Sequence, residues 1–370
     1  MQDRALGTQS TPVRTPRHAA RALASAALAL GLSACAAIPW PHTARTSSRA
    51  RGAEGWLDLR GVVHVHTRGS HDSPGTIEDV VAAARSAGVA WVALTEHTEP
   101  GELGPFGEID GVRVIPGFEM NSAGASLLAL GVSGRPPASK DPVALVRWTH
   151  GAGGVVAVGH FEHSRLADPE AWRAAAPDAV ELVNLHANAL EARASLGWRV
   201  PLLPSTVALR TLLTLPAANL AHWEALPGPP PILGAVDAHA KFRLLGPLGG
   251  TIDRYRDTFR LLTTHVLVRD ATQPAILDGL RAGRSYVAFE GLGEVAAFRF
   301  ELDAEGFALE APRACRLALV CDGAPAGEVE AARARLAPPS GATRCRAEAW
   351  LDERVWIVTS YRAVPPMTQP

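Results

Sequence analysis

The chain has 370 residues, 47% of them hydrophobic, with 36 Lys and Arg against 37 Asp and Glu and a formal net charge of -1. That balance excludes a disordered or collagen-like chain, gives no reason to expect nucleic acid as a partner, and bounds the protein to one to three globular domains with a large core. Four Cys without any CxxC spacing argue against a thiol-based metal or redox centre.

Arg14, Arg17, His18 and Arg21 form a basic stretch, and an uninterrupted small and apolar run follows over 22–32. A membrane span needs about 20 apolar residues, so the run is too short to cross a bilayer and reads as an export signal. It ends Leu32-Ser33-Ala34-Cys35, which resembles a bacterial lipobox with Cys35 as the lipidation site. Ala36 follows where Asp would favour the inner membrane, so the expectation is an exported lipoprotein, anchored in the cell envelope at the outer membrane and facing the periplasm. An ordinary signal peptide with an incidental Cys35 is the alternative. Residues 1–35 are thus expected to be signal, and 36–55, rich in Pro, Ser, Thr, Arg and Gly, a flexible tether.

From Trp56 short apolar runs alternate with helical patterns, which predicts a parallel αβ sheet or barrel over 56–289. Strands are expected over 61–66, 89–94, 112–115, 126–132, 155–158, 179–183 and 231–236. Helices are expected over 76–87, with Thr76 as N-cap and Glu78 and Asp79 in the first turn, and over 141–150, capped by Asp141. A mostly helical insertion over 188–230 is interrupted by Pro201, Pro204 and Pro216. Over 290–370 the pattern changes to strands at 296–302, 307–310, 316–320, 346–351 and 355–361, with one short helix at 328–336. This predicts a small β-rich C-terminal domain. Cys315 and Cys321 lie about 20 Å apart along one strand and cannot pair there; Cys345 could pair with either.

Nine potential metal ligands are strung through the αβ region: His64, His66, Asp72, His97, Glu119, His160, His186, Asp237 and His239. Most close a short apolar strand, and a parallel αβ barrel gathers such strand ends on one rim. His64 and His66, two apart, point to the same face and can reach one ion. One His at a strand end is more often a polar cap than a ligand, but six such ends together reverse that expectation.

The order HxH, Asp, Thr-Glu-His, Glu, His, His and Asp-x-His across 61–239 resembles the PHP (polymerase and histidinol phosphatase) superfamily, metal-dependent hydrolases on a distorted seven-stranded αβ barrel. The stretches His66-Thr-Arg-Gly-Ser-His-Asp-Ser73 and Val183-Asn-Leu-His-Ala-Asn188 are similar to its carbaryl-hydrolase-like branch. The resemblance implies two to three divalent ions, Zn, Mn or Fe. His64, His66, Glu119 and Asp237 would hold one; Glu119 would bridge to a second with His160 and His186; Asp72, His97 and His239 would hold a third. Glu96 stands where many members have Asp and would orient an imidazole or crowd the third site. His71 is inserted before Asp72.

The implied catalytic set is Glu119, Asp237 and His239, with a water shared by two cations as nucleophile and a small-molecule ester or phosphoester as substrate. Arg68, Lys241 and Arg243 near the rim are candidate substrate contacts, or else solvated loop charges. Three functions follow: a phosphoesterase, an ester, amide or carbamate hydrolase, and a non-catalytic binding lipoprotein that keeps the barrel.

Overall fold

The computed structural model describes residues 48–51, 55–97, 103–196, 212–241 and 253–365. The signal segment with Cys35, most of the tether, Arg243 and part of the insertion lie outside the described residues. Among the described residues no helix is long and apolar enough to cross a membrane.

Strand β1 (Ser48–Arg51) pairs antiparallel with β2 (Trp56–Val65). From Asp58 to Val65 every residue of β2 is buried, so the strand is covered on both faces. Helix α1 (Ile77–Ala87) follows. Thr76 accepts from the Asp79 amide while Asp79 accepts from the Thr76 amide, and Gly88 ends the helix in the left-handed conformation. Its apolar face, Val80, Val81 and Ala84, packs into the core.

Strand β3 (Trp91–Leu94) is parallel to β2 and continues into β4 (Glu96–His97). A short strand β5 (Gly107–Ile109) leads antiparallel into β6 (Val112–Ile115), which is parallel to β3. Its continuation β7 (Gly117–Ser122) is parallel to β4. Only Ala123 and Gly124 separate β7 from β8 (Ala125–Leu130), so no crossover helix fits and β8 turns antiparallel to β7. Helix α2 (Pro142–Gly151), capped by Asp141, leads to β9 (Val155–Gly159), antiparallel to β8.

Helix α3 (Pro169–Ala175) precedes β10 (Ala179–Asn184), parallel to β9. Helices α4 (Leu185–Leu196) and α5 (Ala217–Ala225) belong to the insertion, whose helical start thus lies at Leu185, three residues earlier than expected. Strand β11 (Ile232–Ala238) is parallel to β10 and to β2, so the pairing returns to the strand it began with. Gly61 is required where β2 meets β3, because a Cβ there would fall 1.8 Å from the buried Trp91 ring.

After helix α6 (Tyr255–Thr258), strand β12 (Thr263–Val268) pairs antiparallel with β2 and, past helix α7 (Gln273–Arg281), with β13 (Ser285–Ala288). Strands β14 (Arg299–Asp303), β15 (Gly306–Cys321), β16 (Ala324–Leu336), β17 (Arg344–Leu351), β18 (Arg354–Thr359) and β19 (Arg362–Ala363) complete the chain. β13 pairs with β18, so the C-terminal strands extend the same hydrogen-bonded sheet and enclose their own core around Phe300, Phe307, Leu317 and Trp356.

Two expectations change here. The helix at 328–336 is part of β16: Ala, Glu and Arg favour a helix, but pairing Leu317 with Val329 and Ala308 with Arg335 overrides that weak preference. The separate strands at 307–310 and 316–320 are one continuous strand, irregular between Glu310 and Cys315. The register sets Cys321 opposite Cys345, and the two form a disulfide, leaving Cys315 a buried thiol.

Candidate metal centre

The ends of β2, β4, β9 and β11 converge beside Glu119 in the middle of β7, and the backbone is bent where they do. His64, His160 and Asp237 all have positive φ, at 65°, 46° and 50°. The ladders slip at two of these points: between Val63 and Val65 in β2, and between Ala235 and Ala238 in β11. Non-glycine residues rarely adopt this conformation, and a bulge re-aims the side chain that it carries. Three of the nine predicted ligands are therefore turned inward by local backbone strain that the surrounding sheet holds in place.

Three overlapping groups result: His66, Asp72, His97 and His239; His64, His66 and Asp237; and His64, Glu119 and His160. Within each, one nitrogen or oxygen per residue lies within 4.8 Å of the others. Glu119 Oε2 is 3.4 Å from His64 Nε2 and 3.5 Å from His66 Nε2, while Glu119 Oε1 is 3.5 Å from His160 Nε2. Asp237 repeats the pattern: Oδ1 faces His64 and His66 at 3.5 and 3.6 Å, and Oδ2 faces His160 at 3.6 Å. Both carboxylates thus reach from the HxH pair to His160.

These separations are long for hydrogen bonds. The buried Nε2 atoms of His64 and His66 have no hydrogen-bond partner among the described residues, nor does Asp72 Oδ1. Two ligands each about 2.1 Å from a tetrahedral ion stand about 3.4 Å apart. The donor set therefore fits divalent cations better than it fits itself.

Charge points the same way. Burial disfavours a charged His64, yet Asp237, Glu181 and Glu119 raise its pKa well above the ordinary imidazole range. For His160 burial again opposes, but Glu119 and Glu162 raise it to about 11. Burial works against the charge on Glu119, and His64 with His160 holds it well below its usual range. Asp237 is lowered in spite of burial, through His64, His160 and His239. His66 is held low by burial and then by His64 and His239.

His186 is not in any of the three groups; its ring lies on the rim, 6.4 Å between centroids from His239. His71 packs its ring 5.2 Å from that of His97. Arg68 is exposed and lines a cleft of roughly 360 Å³ with Thr67, Ile77, Glu78, Leu103 and Pro105. Lys241 pairs with Asp72.

Sequence reasoning missed several groups that hold the ligands. Glu181, fully buried in β10, places Oε2 2.6 Å from His64 Nδ1, while its Oε1 accepts from the His160 amide and from Asn184. Such a carboxylate fixes the imidazole tautomer and ring orientation and aims Nε2 at the ion. A charged residue inside the apolar run Ala-Val-Glu-Leu-Val was the available signal. Tyr255 donates to the His66 carbonyl at 2.6 Å, and Ser73 donates to the His239 carbonyl at 2.7 Å, tying the HxH end to the Asp-x-His end. Glu96 does not touch an imidazole: it accepts from Thr67 and Ser70, and Ser70 in turn meets His66 Nδ1 at 3.2 Å.

No family model and no curated protein matches the sequence. Among solved structures, a two-domain protein from Bacteroides vulgatus, described as containing a predicted PHP-like metal-dependent phosphoesterase, is similar at 15% identity with a TM-score of 0.46. The match covers 86% of this chain and 99% of that one.

Proposed function

We propose that the protein is a metal-dependent hydrolase of the PHP type, on a distorted seven-stranded αβ barrel, acting on a small-molecule phosphoester. The observation that carries this reading is the pair of buried, unpartnered Nε2 atoms of His64 and His66 facing Glu119 and Asp237 at 3.4–3.6 Å. His64, His66, Glu119 and Asp237 would hold one ion, and Glu119, Asp237 and His160 a second, with zinc, manganese or iron suited to this mixed donor set. Such ions supply Lewis acidity, acidifying water near neutral pH and offsetting charge on substrate oxygens.

The chain's own residues do the positioning. Glu119 and Asp237 bring the negative charge that draws two cations together. Glu181 keeps His64 in the tautomer that offers Nε2. His239 stands beside the pair as a donor to a phosphoryl oxygen, while Arg68 and Arg243 serve as guanidinium contacts for an anionic substrate.

The apolar wall of Ile77, Leu103 and Pro105 beside Arg68 favours a second reading, hydrolysis of a carboxylic ester, amide or carbamate with an apolar leaving group. Nitrophenyl phosphate and nitrophenyl acetate separate the two when offered to metal-loaded and then chelator-treated protein. Chelator-sensitive phosphate release supports the phosphoesterase; chelator-sensitive acetate release alone supports the other; neither activity removes both. We also propose lipid anchoring through Cys35, which predicts that Cys35→Ser releases the protein from membranes.

A further inference from the structure

The group formed by His66, Asp72, His97 and His239 differs in charge from the other two. One oxygen of its carboxylate is already engaged: Asp72 Oδ2 accepts from the Lys241 ammonium and lies 3.2 Å from His239 Nε2, while Oδ1 faces His97 Nε2 at 3.5 Å. This contact is built into the backbone. Ala240 has φ 53°, and the carboxylate of Asp253 accepts from the amides of both His239 and Lys241, at 3.2 and 3.3 Å. The turn therefore sends the side chains at 239 and 241 to the same oxygen. Carboxylate and ammonium therefore face each other as an ion pair.

Ligand supply is also short. His64 offers Nε2 alone, because Nδ1 is tied to Glu181 at 2.6 Å, and His66 Nε2 faces Glu119 and Asp237. With His66 used there, the third group keeps Asp72, His97 and His239. Asp72 and the Lys241 ammonium cancel, and the only further negative charge within reach is shared: Glu119 Oε2 lies 3.4 Å from His97 Nδ1 and Asp237 Oδ1 3.5 Å from His239 Nδ1, but these same oxygens face His64 and His66. A divalent ion on Asp72 would sit against the ammonium in a partly buried site, where like charges a few ångströms apart repel strongly.

We propose that Lys241 takes the place of a third divalent cation: the chain binds two ions, and the ammonium provides the third positive charge facing substrate oxygens. This rests on the metal-dependent reading above and assigns Lys241 to the centre itself rather than to a separate substrate contact. It also explains how the third group keeps a carboxylate without holding metal.

The test is metal stoichiometry, read without turnover. Full-length wild type, Lys241→Met and Lys241→Arg are titrated with Mn²⁺, and tight binding is counted by elemental analysis after gel filtration and by electron paramagnetic resonance of the free ion. Wild type and Lys241→Arg are expected to hold two equivalents. Lys241→Met is expected to hold a third, with affinity at that position at least about 100-fold above wild type, and Asp72→Ala in the Lys241→Met background to return the count to two. Three tight equivalents in wild type, or two in Lys241→Met, would overturn the role of Lys241 and leave the metal-centre reading standing. No tight Mn²⁺ or Zn²⁺ in any of these proteins overturns both.

Discussion

Two regions of this molecule bury histidine beside carboxylates, and they do so to opposite ends. At the rim, His64 and His66 meet Glu119 and Asp237 at 3.4–3.6 Å, and their Nε2 atoms have no hydrogen-bond partner among the described residues. Between β2 and the C-terminal strands, His265 lies 2.8 Å from Asp58, Tyr286 donates to Asp58 at 2.7 Å, and Arg60 pairs with Glu290 at 2.8 Å. Arg60 also donates to the Val295 carbonyl at 2.8 Å, and Glu290 accepts from the Val295 amide at 2.9 Å. Each of these groups in the second network meets an oppositely charged or hydrogen-bonding partner within 2.9 Å, and the network fastens β2 to the chain that follows. The first stays open, and an additional cation is what closes it. Burial and ionisable residues alone do not mark a site; several donors and acceptors held together at about 3.5 Å without a hydrogen bond between them do.

The largest effect is expected from removing a shared ligand at the rim. Glu119→Gln should lower chelator-sensitive hydrolysis by at least about 10²–10³-fold and reduce metal content, with little change in melting temperature. Full activity in that variant would remove Glu119 from the centre. At the closed network the effects should be reversed. Asp58→Ala removes the acceptor that His265 and Tyr286 share and should cost about 3–5 kcal/mol of stability in denaturant titrations, while metal stoichiometry per folded molecule stays unchanged.

Glu181→Gln lies between these extremes. It weakens the orientation of His64 without deleting a ligand, so metal affinity should fall about 10–100-fold by competition with a chelator. An unchanged affinity would reduce Glu181 to a packing role.

The two regions also separate by pH. His160 is raised to about 11, so at neutral pH it carries a proton that a cation must displace. Metal affinity should therefore rise as pH rises, by about tenfold per unit for each proton released, and calorimetry in buffers of different ionisation enthalpy counts those protons. The smallest effect is expected at His265. Burial opposes its charge, but Asp58 and then Glu290 raise its pKa above the ordinary 6.5. Its stabilisation is complete below that value and fades as pH climbs through the folded pKa. The difference in melting temperature between wild type and His265→Gln should shrink from pH 6 to pH 9; a constant difference would mean that His265 is neutral in the fold.

Much of this was legible from residues alone. The strand at 112–115, the helix caps at Thr76 and Asp141 and the apolar runs at 155–158 and 179–183 follow from local chemistry: alternation, capping and β-branching act over a few residues. The candidate ligands were visible because most of them close such a run. The strand β16 was not, since its Glu-Val-Glu-Ala-Ala-Arg-Ala-Arg pattern favours a helix until β15 offers hydrogen bonds and partners such as Glu310 for Arg333, 2.7 Å apart. Cys345 had two possible partners until the register of β15 and β17 chose Cys321.

Local chemistry settles the inventory: which strands exist, and that most of the His, Asp and Glu candidates stand at or near their ends. Packing settles how that inventory is divided. It set His186 outside the three groups, bent His64, His160 and Asp237 inward at positive φ, brought Glu181 behind His64 and aimed Lys241 at Asp72. The reason is range. Propensity and pattern act between neighbours in the chain, whereas a ligand's role depends on angstrom-scale distances between residues as far apart as 64 and 237, which only the packed sheet can set.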